Sequence, residues 1–279
     1  MQVDLLLTTQ NRHAEMRRLL DSLCRQRTPA FRLVAGLQDA DEAMCALLAA
    51  YADRLSIEIV HLPRCSLSHA RNRLLSHLRN DIFALTDDDC VYAPDTLSRC
   101  LAFFAGHPDV AACVGTPVDL DGQGRAFDDR QDRAEGRNRR ISRTGAFLAA
   151  PSYVLFFRRS VAGKVGAFDE ELGVGAPTPW QSGEETDYLL RCMDCGGKVM
   201  RVPGIRVAHP AAVFSPENAG KWYAYGRGRM RVLHKHRFSF PMRLVHVAHP
   251  LLRLLREPFR PRWGLVRMFK GRLDGLFHP

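Results

Sequence analysis

Over the first 115 residues the apolar positions fall into two alternating patterns. Short unbroken runs at Val3–Leu7, Leu33–Leu37, Ile57–His61 and Ile82–Thr86 suit strands buried on both faces. Between them apolar residues recur at helical spacing, first as Met16, Leu19, Leu20, Leu23 and Cys24. Asn11 is the expected cap of that helix, Glu15 lies near its start and Pro29 beyond its end. Further helices are expected over Asp41–Leu55, Ser68–Leu78 and Asp95–Ala105, the last with Pro94 in its first turn. Strands alternating with helices in this way predict an α/β fold: a mostly parallel sheet with helices on both faces and a Rossmann-like first half.

The alternation stops at Asp119–Thr144. From Asp121 onward this stretch holds seven arginines and five acids and almost no apolar residue, the composition of a long polar loop, which is usually functional or mobile. Regular structure is expected to resume over Ala146–Arg158, with a helix at Arg159–Val165. A Gly/Pro-rich loop follows at Gly173–Gly183. A helix from Glu184 to Cys195 is stopped by Gly196-Gly197. Two short extended segments, Lys198–Val202 and Ile205–Ala208, come next.

Charge changes the picture at the C-terminal end. The net charge of the 279 residues is +10, but residues 221–279 hold 14 Lys/Arg against 2 Asp/Glu, and residues 1–220 hold 26 against 28. A near-neutral body with a basic tail predicts a polyanion or an anionic membrane surface as partner. Within the tail, Arg243, His246, His249, Arg253, Arg256 and Arg260 recur every three or four residues and form one basic stripe if helical, with Pro250 and Pro258 expected to break or kink it. A second amphipathic segment is Trp263–Phe277. Such segments can lie in a membrane interface with arginines at anionic lipids. No helix-turn-helix, zinc-finger or aromatic RNA-binding pattern accompanies the basic residues, so nucleic acid is not the expected partner, although a nucleic-acid-binding protein is the alternative class. The longest uncharged apolar run, Gly145–Phe157, is too short to cross a bilayer, which takes about 18 residues. With no basic leader at the start and eight dispersed cysteines, the expectation is a cytoplasmic protein with reduced thiols, peripheral on the inner face of the membrane. The lone Cys192-x-x-Cys195 pair reads as packing on a helix face.

Three features carry chemistry. Asp87-Asp88-Asp89 directly follows the run Ile82–Thr86, and parallel sheets bind ligands at the carboxyl ends of their strands. Three adjacent carboxylates repel one another unless a cation sits among them, and hard oxygen ligands suit Mg²⁺ or Mn²⁺ completed by phosphate oxygens. The second feature is Gly183-Glu184-Glu185-Thr186-Asp187, which opens a helix after a Gly-rich loop bearing Trp180. This arrangement suits a base with an aromatic platform. The third is His209, at the end of an extended segment before Pro210.

The order and spacing of these features resemble family 2 glycosyltransferases of the GT-A fold. Thr9-Gln10-Asn11-Arg12 is similar to that family's Thr-x-Asn-Arg stretch after the first strand, and Ser66–Arg73 to its Ala-Arg-Asn motif. Asp87-Asp88-Asp89 is similar to its DxD, and Gly166-Ala167-Phe168-Asp169-Glu170 to its Gly-x-Phe-Asp-Glu. Gly183–Arg191 resembles its Gly-Glu-Asp-x-Asp-x-x-x-Arg, and Val202-Pro203 followed by His209 matches the usual end of the catalytic domain. The resemblance implies inverting transfer of a sugar from a nucleotide-diphosphate donor to a lipid-linked or polysaccharide acceptor, with Mn²⁺ or Mg²⁺, of the bacterial envelope type. It implies Asp89 as metal ligand, with Asp87 at the metal or the ribose and His209 at the metal or diphosphate. Thr9, Asn11, Arg12, Gln38, Asp39, Arg71, Asp87 and Asp88 then fall to the donor, and Trp180 and Glu184 to the acceptor. The base position is Glu185 here, with Asp187 as the competing carboxylate. Where the family has an acidic pair at the end of strand two, this chain has Gln38-Asp39. The implied organisation is a catalytic domain over 1–210 and a basic helical region over 211–279. Within the catalytic domain, 1–118 is the donor half, 119–145 the polar loop and 146–210 the acceptor half. A catalytically inactive member of the family is the remaining alternative.

Overall fold

The structure, a computed structural model, describes residues 1–121, 127, 136–149, 151–211, 217–256 and 262–278. Its elements run β1 (Val3–Thr9), α1 (His13–Cys24), β2 (Phe31–Gln38), α2 (Glu42–Ala49), β3 (Ile57–Leu62), α3 (Leu67–Leu75), β4 (Ile82–Asp87), β5 (Val91–Tyr92), α4 (Thr96–Gly106) and β6 (Val110–Asp119). They continue through β7 (Arg139–Arg140), α5 (Arg143–Ala149), a 3-10 turn at Ser152–Val154, β8 (Leu155–Arg158), α6 (Arg159–Val165), α7 (Glu184–Asp194), β9 (Lys198–His209), α8 (Ala219–Lys235), α9 (Phe240–Arg256) and α10 (Arg262–Phe277).

The strands form one mixed sheet in the order β3-β2-β1-β4-β8-β6-β9-β5, with β7 on β9. From β3 to β4 every pairing is parallel, as is β6 with β9, and the antiparallel pairings are those made by β8, β5 and β7. Consecutive residues of β1 and β4 are buried, so both sheet faces are covered there, as unbroken apolar runs require. One polar residue interrupts β1. Asp4 is fully buried and accepts from Arg32 Nε at 2.9 Å, the Arg79 and Asn80 amides at 2.8 and 2.9 Å, and Asn80 Nδ2 at 2.8 Å. A buried carboxylate is tolerable only when its lone pairs are taken up in this way.

Several local expectations change. Asn11 does not cap α1, whose N-cap is Arg12. Asn11 sits at φ +53°, donates Nδ2–H to the Asp39 carbonyl and accepts the Asp41 amide, both at 3.0 Å, tying the loops after β1 and β2 together. Asp41, not a helical residue itself, caps α2 through Met44 N. Pro94 precedes the N-cap Asp95 rather than opening α4. The two extended segments after α7 are one strand, β9. β6 and β7 are strands that the sequence pattern did not single out. Of the polar loop, residues 122–126 and 128–135 lie outside the described residues, as do Pro258, Phe259 and Arg260 of the tail.

The chain divides into two compact units. The first comprises Met1–Cys65, Ala70–Ala167 and Leu189–Ala211, and the second Ser66–His69, Phe168–Tyr188 and Ala212–Pro279. The whole sheet belongs to the first. In the second, α8 and α10 approach so closely that a Cβ on Gly271 would lie 2.1 Å from the Tyr223 carbonyl oxygen, which only glycine permits. Trp222 and Leu265 form a small core there, with Tyr225, Leu254 and Met268 packed on it. α9 runs through Pro250 without ending. Proline removes the N–H that would bond the carbonyl of His246, and Arg272 Nη1 of α10 donates to that carbonyl at 2.6 Å instead. Among the described residues, no helix is long and apolar enough to cross a membrane. All eight cysteines are free.

Candidate active site

In the first unit the site grows from the pairing of β1 with β4, whose register sets Thr8 against Asp87. Thr9 therefore reaches the turn after β4, and its Oγ1 donates to Asp88 Oδ2 at 2.7 Å. One turn on, Arg12 spans two carboxylates, with Nη1 2.6 Å from Asp88 Oδ1 and Nη2 3.0 Å from Asp89 Oδ2. Asp87 accepts from Ser152 Oγ at 3.2 Å and lies 3.4 Å from Nη2 of the buried Arg71. The chain then returns through β5, which pairs Val91 with Ala208. That antiparallel register carries His209 back beside Asp89, with Nε2 3.0 Å from Oδ1. His209 Nδ1 contacts the Pro210 carbonyl at 2.7 Å, and its ring stacks on Tyr153 at 4.6 Å between centroids.

Asp88 and Asp89 are held in different electrostatic states. Burial pushes Asp88 up to about 6, with Asp89 and Asp87 adding to it against Thr9 and Arg12. Burial would also raise Asp89, but His209 and Arg12 outweigh it and bring it down to about 2. Burial opposes protonation of His209, and the Asp89 carboxylate overcomes this and raises the imidazole. Around the neighbouring strand ends, the buried Gln38 accepts from Gln10 Nε2 at 3.2 Å and the Cys65 amide at 3.0 Å, and Asp39 adopts φ +45°. Thr9, Asn11, Arg12, Gln38, Asp39, Arg71, Asp87, Asp88, Asp89 and His209 thus all lie at the carboxyl ends of β1, β2, β4 and β9 or contact residues there.

The second unit holds the other acidic group. Asp187 is wholly buried, with Oδ1 2.8 Å from Lys235 Nζ and 2.9 Å from His236 Nε2. Lys235 also pairs with Asp169 at 2.6 Å, and Arg231 with Glu171 at 3.2 Å, so one face of α8 is pinned by acids. Glu184 is buried against Gly173, whose φ of +96° leaves no room for a side chain: a Cβ there would lie 3.1 Å from the carboxylate. Glu185 is half-buried and accepts from Thr186 Oγ1 at 3.2 Å. Trp180 has the Arg231 guanidinium 4.1 Å over its ring, and its buried indole Nε1 finds no hydrogen-bond partner.

The family model for glycosyl transferase family 2 matches residues 4–165, more than half of the chain. This chain belongs to glycosyl transferase family 2. No curated protein sequence matches it. Among solved structures, it is similar to S. aureus TarS (TM-score 0.64, 12% identity), covering 98% of this chain and 55% of that one, so it spans about half of that chain's length. It is also similar to the mannosyltransferase PcManGT from Pyrobaculum calidifontis in complex with GDP-Man and Mn²⁺ (TM-score 0.66, 16% identity, 99% and 87% covered). S. aureus TarS 1-349 in complex with UDP-GlcNAc is a further neighbour (TM-score 0.63, 14% identity, 98% and 91% covered). At these identities the likeness establishes the GT-A fold.

The carboxylates and imidazole at this strand end are a candidate ligand set for a cation. Among the described residues, no three His, Cys, Asp or Glu side chains gather into a preformed cage. Asp89 Oδ1, however, is buried and faces His209 Nε2 at 3.0 Å. A buried carboxylate oxygen beside an imidazole fits an ion that takes one or two protein ligands and completes its shell elsewhere, as Mg²⁺ and Mn²⁺ do with phosphates. Sequence reasoning missed Ser152 and Tyr153, which sit inside an apolar run, and Gln10. It also missed Lys235 and His236, which only the packing of α8 brings to Asp187.

Proposed function

We propose that this glycosyltransferase moves a sugar from a nucleotide-diphosphate donor to a hydroxyl of a lipid-linked or saccharide acceptor, with inversion and with Mn²⁺ or Mg²⁺. The observation that carries the reading is the buried Asp89 facing His209 at the carboxyl end of β4, with Oδ1 and Nε2 3.0 Å apart. The neighbours' complexes with GDP-Man and Mn²⁺ and with UDP-GlcNAc support it. Asp89 and His209 would hold the ion, with Asp87 beside them. When bound, the ion offsets charge on the leaving diphosphate.

The chain's own residues divide the remaining work. Thr9 and Arg12 hold Asp88 and Asp89 in place. Asn11, Gln38 and Asp39 bind the nucleoside at the ends of β1 and β2, and Arg71 supports Asp87 and adds positive potential at the donor. Glu185 takes the acceptor hydroxyl proton as its oxygen attacks the anomeric carbon. We assign this role to Glu185 because Asp187 is wholly buried and ion-paired to Lys235 and His236. Trp180 offers the acceptor a ring face, with Glu184 beneath the loop. In this reading residues 1–210 carry catalysis and 211–279 address the membrane, with the protein peripheral on its cytoplasmic face.

The test is a panel of nucleotide sugars screened for Mn²⁺-dependent thermal stabilisation and donor hydrolysis. Stabilisation by one donor, lost in Asp89→Ala, is the expected result. No response to any nucleotide sugar, or a response indifferent to Asp89→Ala, sinks the proposal.

A further inference from the structure

The described part of the tail's basic stripe faces inward, the reverse of what a lipid-facing arginine row would need. On α9, His246, His249 and Arg253 share the inner side with the buried Val247 and Pro250. Burial, with Arg229 and Arg272 nearby, pushes the His246 imidazole down to about 3. The outer side is apolar along its length. Phe240, Leu244, Val245, Leu251, Leu252 and Leu255 are 54, 44, 60, 40, 49 and 80% exposed. At 100° per residue they occupy one stripe roughly 140° wide, closed by Pro241 and Ala248. A helix on a water-soluble body turns such a stripe to the core; α9 turns it out.

α10 continues the pattern. Trp263, Val266, Leu273 and Phe277 are exposed on one side, and Arg267 and Lys270 lie exposed on that same side. Ten of the fourteen exposed large apolar side chains among the described residues belong to these two helices, a concentration well beyond scattered surface hydrophobes. What covers them follows from charge and length. Residues 221–279 carry 14 Lys/Arg against 2 Asp/Glu, so two copies meeting through this surface would bring like charges together. α9 has 17 residues, and no described helix meets the length and apolarity needed for a span. An apolar stripe flanked by cations and aromatic rings, on a helix that does not span, matches the boundary between acyl chains and anionic headgroups.

We propose that the outer faces of α9 and α10 are a membrane-insertion surface, with the leucines of α9 entering the acyl boundary and Arg267 and Lys270 meeting anionic headgroups. This deepens the membrane contact proposed above and rests on it, but it reverses which side of α9 touches lipid. Arg272 of α10, bonded to the His246 carbonyl, ties α9 to its neighbour and leaves the apolar side of α9 for the bilayer.

The full chain is mixed with vesicles of phosphatidylcholine alone or with phosphatidylglycerol added. Sedimentation with the anionic vesicles is expected, together with quenching of Trp263 fluorescence by brominated acyl chains, a signal removed by Trp263→Phe and needing no destabilising change. Leu252→Glu/Leu255→Glu, both on exposed positions, is expected to weaken partition at least about ten-fold, and Val266→Glu/Phe277→Glu on α10 gives an independent second variant. Circular dichroism and melting temperature establish that the variants fold. Vesicle binding untouched by both variants overturns the assigned face while membrane contact stands. Absence of vesicle binding overturns both, as does a concentration-dependent dimer, without vesicle binding, that the same variants abolish. Donor hydrolysis without lipid is measured alongside, so failure of the glycosyl-transfer reading registers separately.

Discussion

The two acidic groups of this protein, Asp87–Asp89 and Glu184–Asp187, are met by different partners. After β4, Arg12 spans Asp88 and Asp89, Asp89 also faces His209, and Asp88 is raised while Asp89 is lowered. At the start of α7, Asp187 is wholly buried and ion-paired to Lys235 and His236, whereas Glu185 is only half-buried. The difference teaches that carboxylates of one acidic turn can take separate roles: one answered in full by buried partners serves the architecture, and one left nearer to solvent stays available for chemistry.

Four substitutions test that comparison, from the largest expected effect on turnover to the smallest. Asp89→Ala is expected to reduce kcat/KM by about 10³, since it removes the proposed ion ligand at the point where charge develops; steady-state assays with Mn²⁺ measure it, and near-normal turnover would break the reading of the first cluster. Glu185→Gln is expected to lower kcat by about 10² with donor affinity kept, seen by pairing turnover with donor titration calorimetry. Trp180→Leu should raise the acceptor KM by about ten-fold with little change in donor KM, as loss of one aromatic platform implies. Asp187→Asn should leave turnover within about two-fold below the melting temperature yet destabilise the fold by about 3 kcal/mol, because Lys235 and His236 lose their buried counter-charge. That corresponds to a drop in Tm on the order of 10 °C by calorimetry. If Asp187→Asn abolishes turnover while Tm holds, the roles of Glu185 and Asp187 are exchanged.

Much of the first half was legible because it obeys local rules. Unbroken apolar runs located β1 to β4, and α6 runs over Arg159–Val165 as its pattern predicts. β6 was not legible, because Val110–Asp119 carries Gly115 and Pro117 and breaks register on both sides of its middle. A Cβ on Gly115 would lie 2.5 Å from the Ile205 carbonyl oxygen, so that glycine answers to a partner strand ninety residues away, not to its neighbours. Separation in sequence also hid Tyr153, whose ring stacks on that of His209. Asn11 was identified as polar and functional in type, but its role as a tie between two loops depends on where Asp39 and Asp41 lie.

The sequence by itself determined the alternating α/β frame, the position of the aspartates at a strand end, and the existence of a basic, amphipathic tail. Each of these depends on spacing within one element, which periodicity and charge record directly. Only the tertiary structure decided that His209 stands beside Asp89, that Asp187 is spent on α8, and that α9 shows Leu244, Leu251, Leu252 and Leu255 to the outside and His246, His249 and Arg253 to the protein. Those facts depend on which way an element faces, and a helical period is the same from either side; only the packing of α10, with Arg272 on the carbonyl that Pro250 leaves open, selects between them.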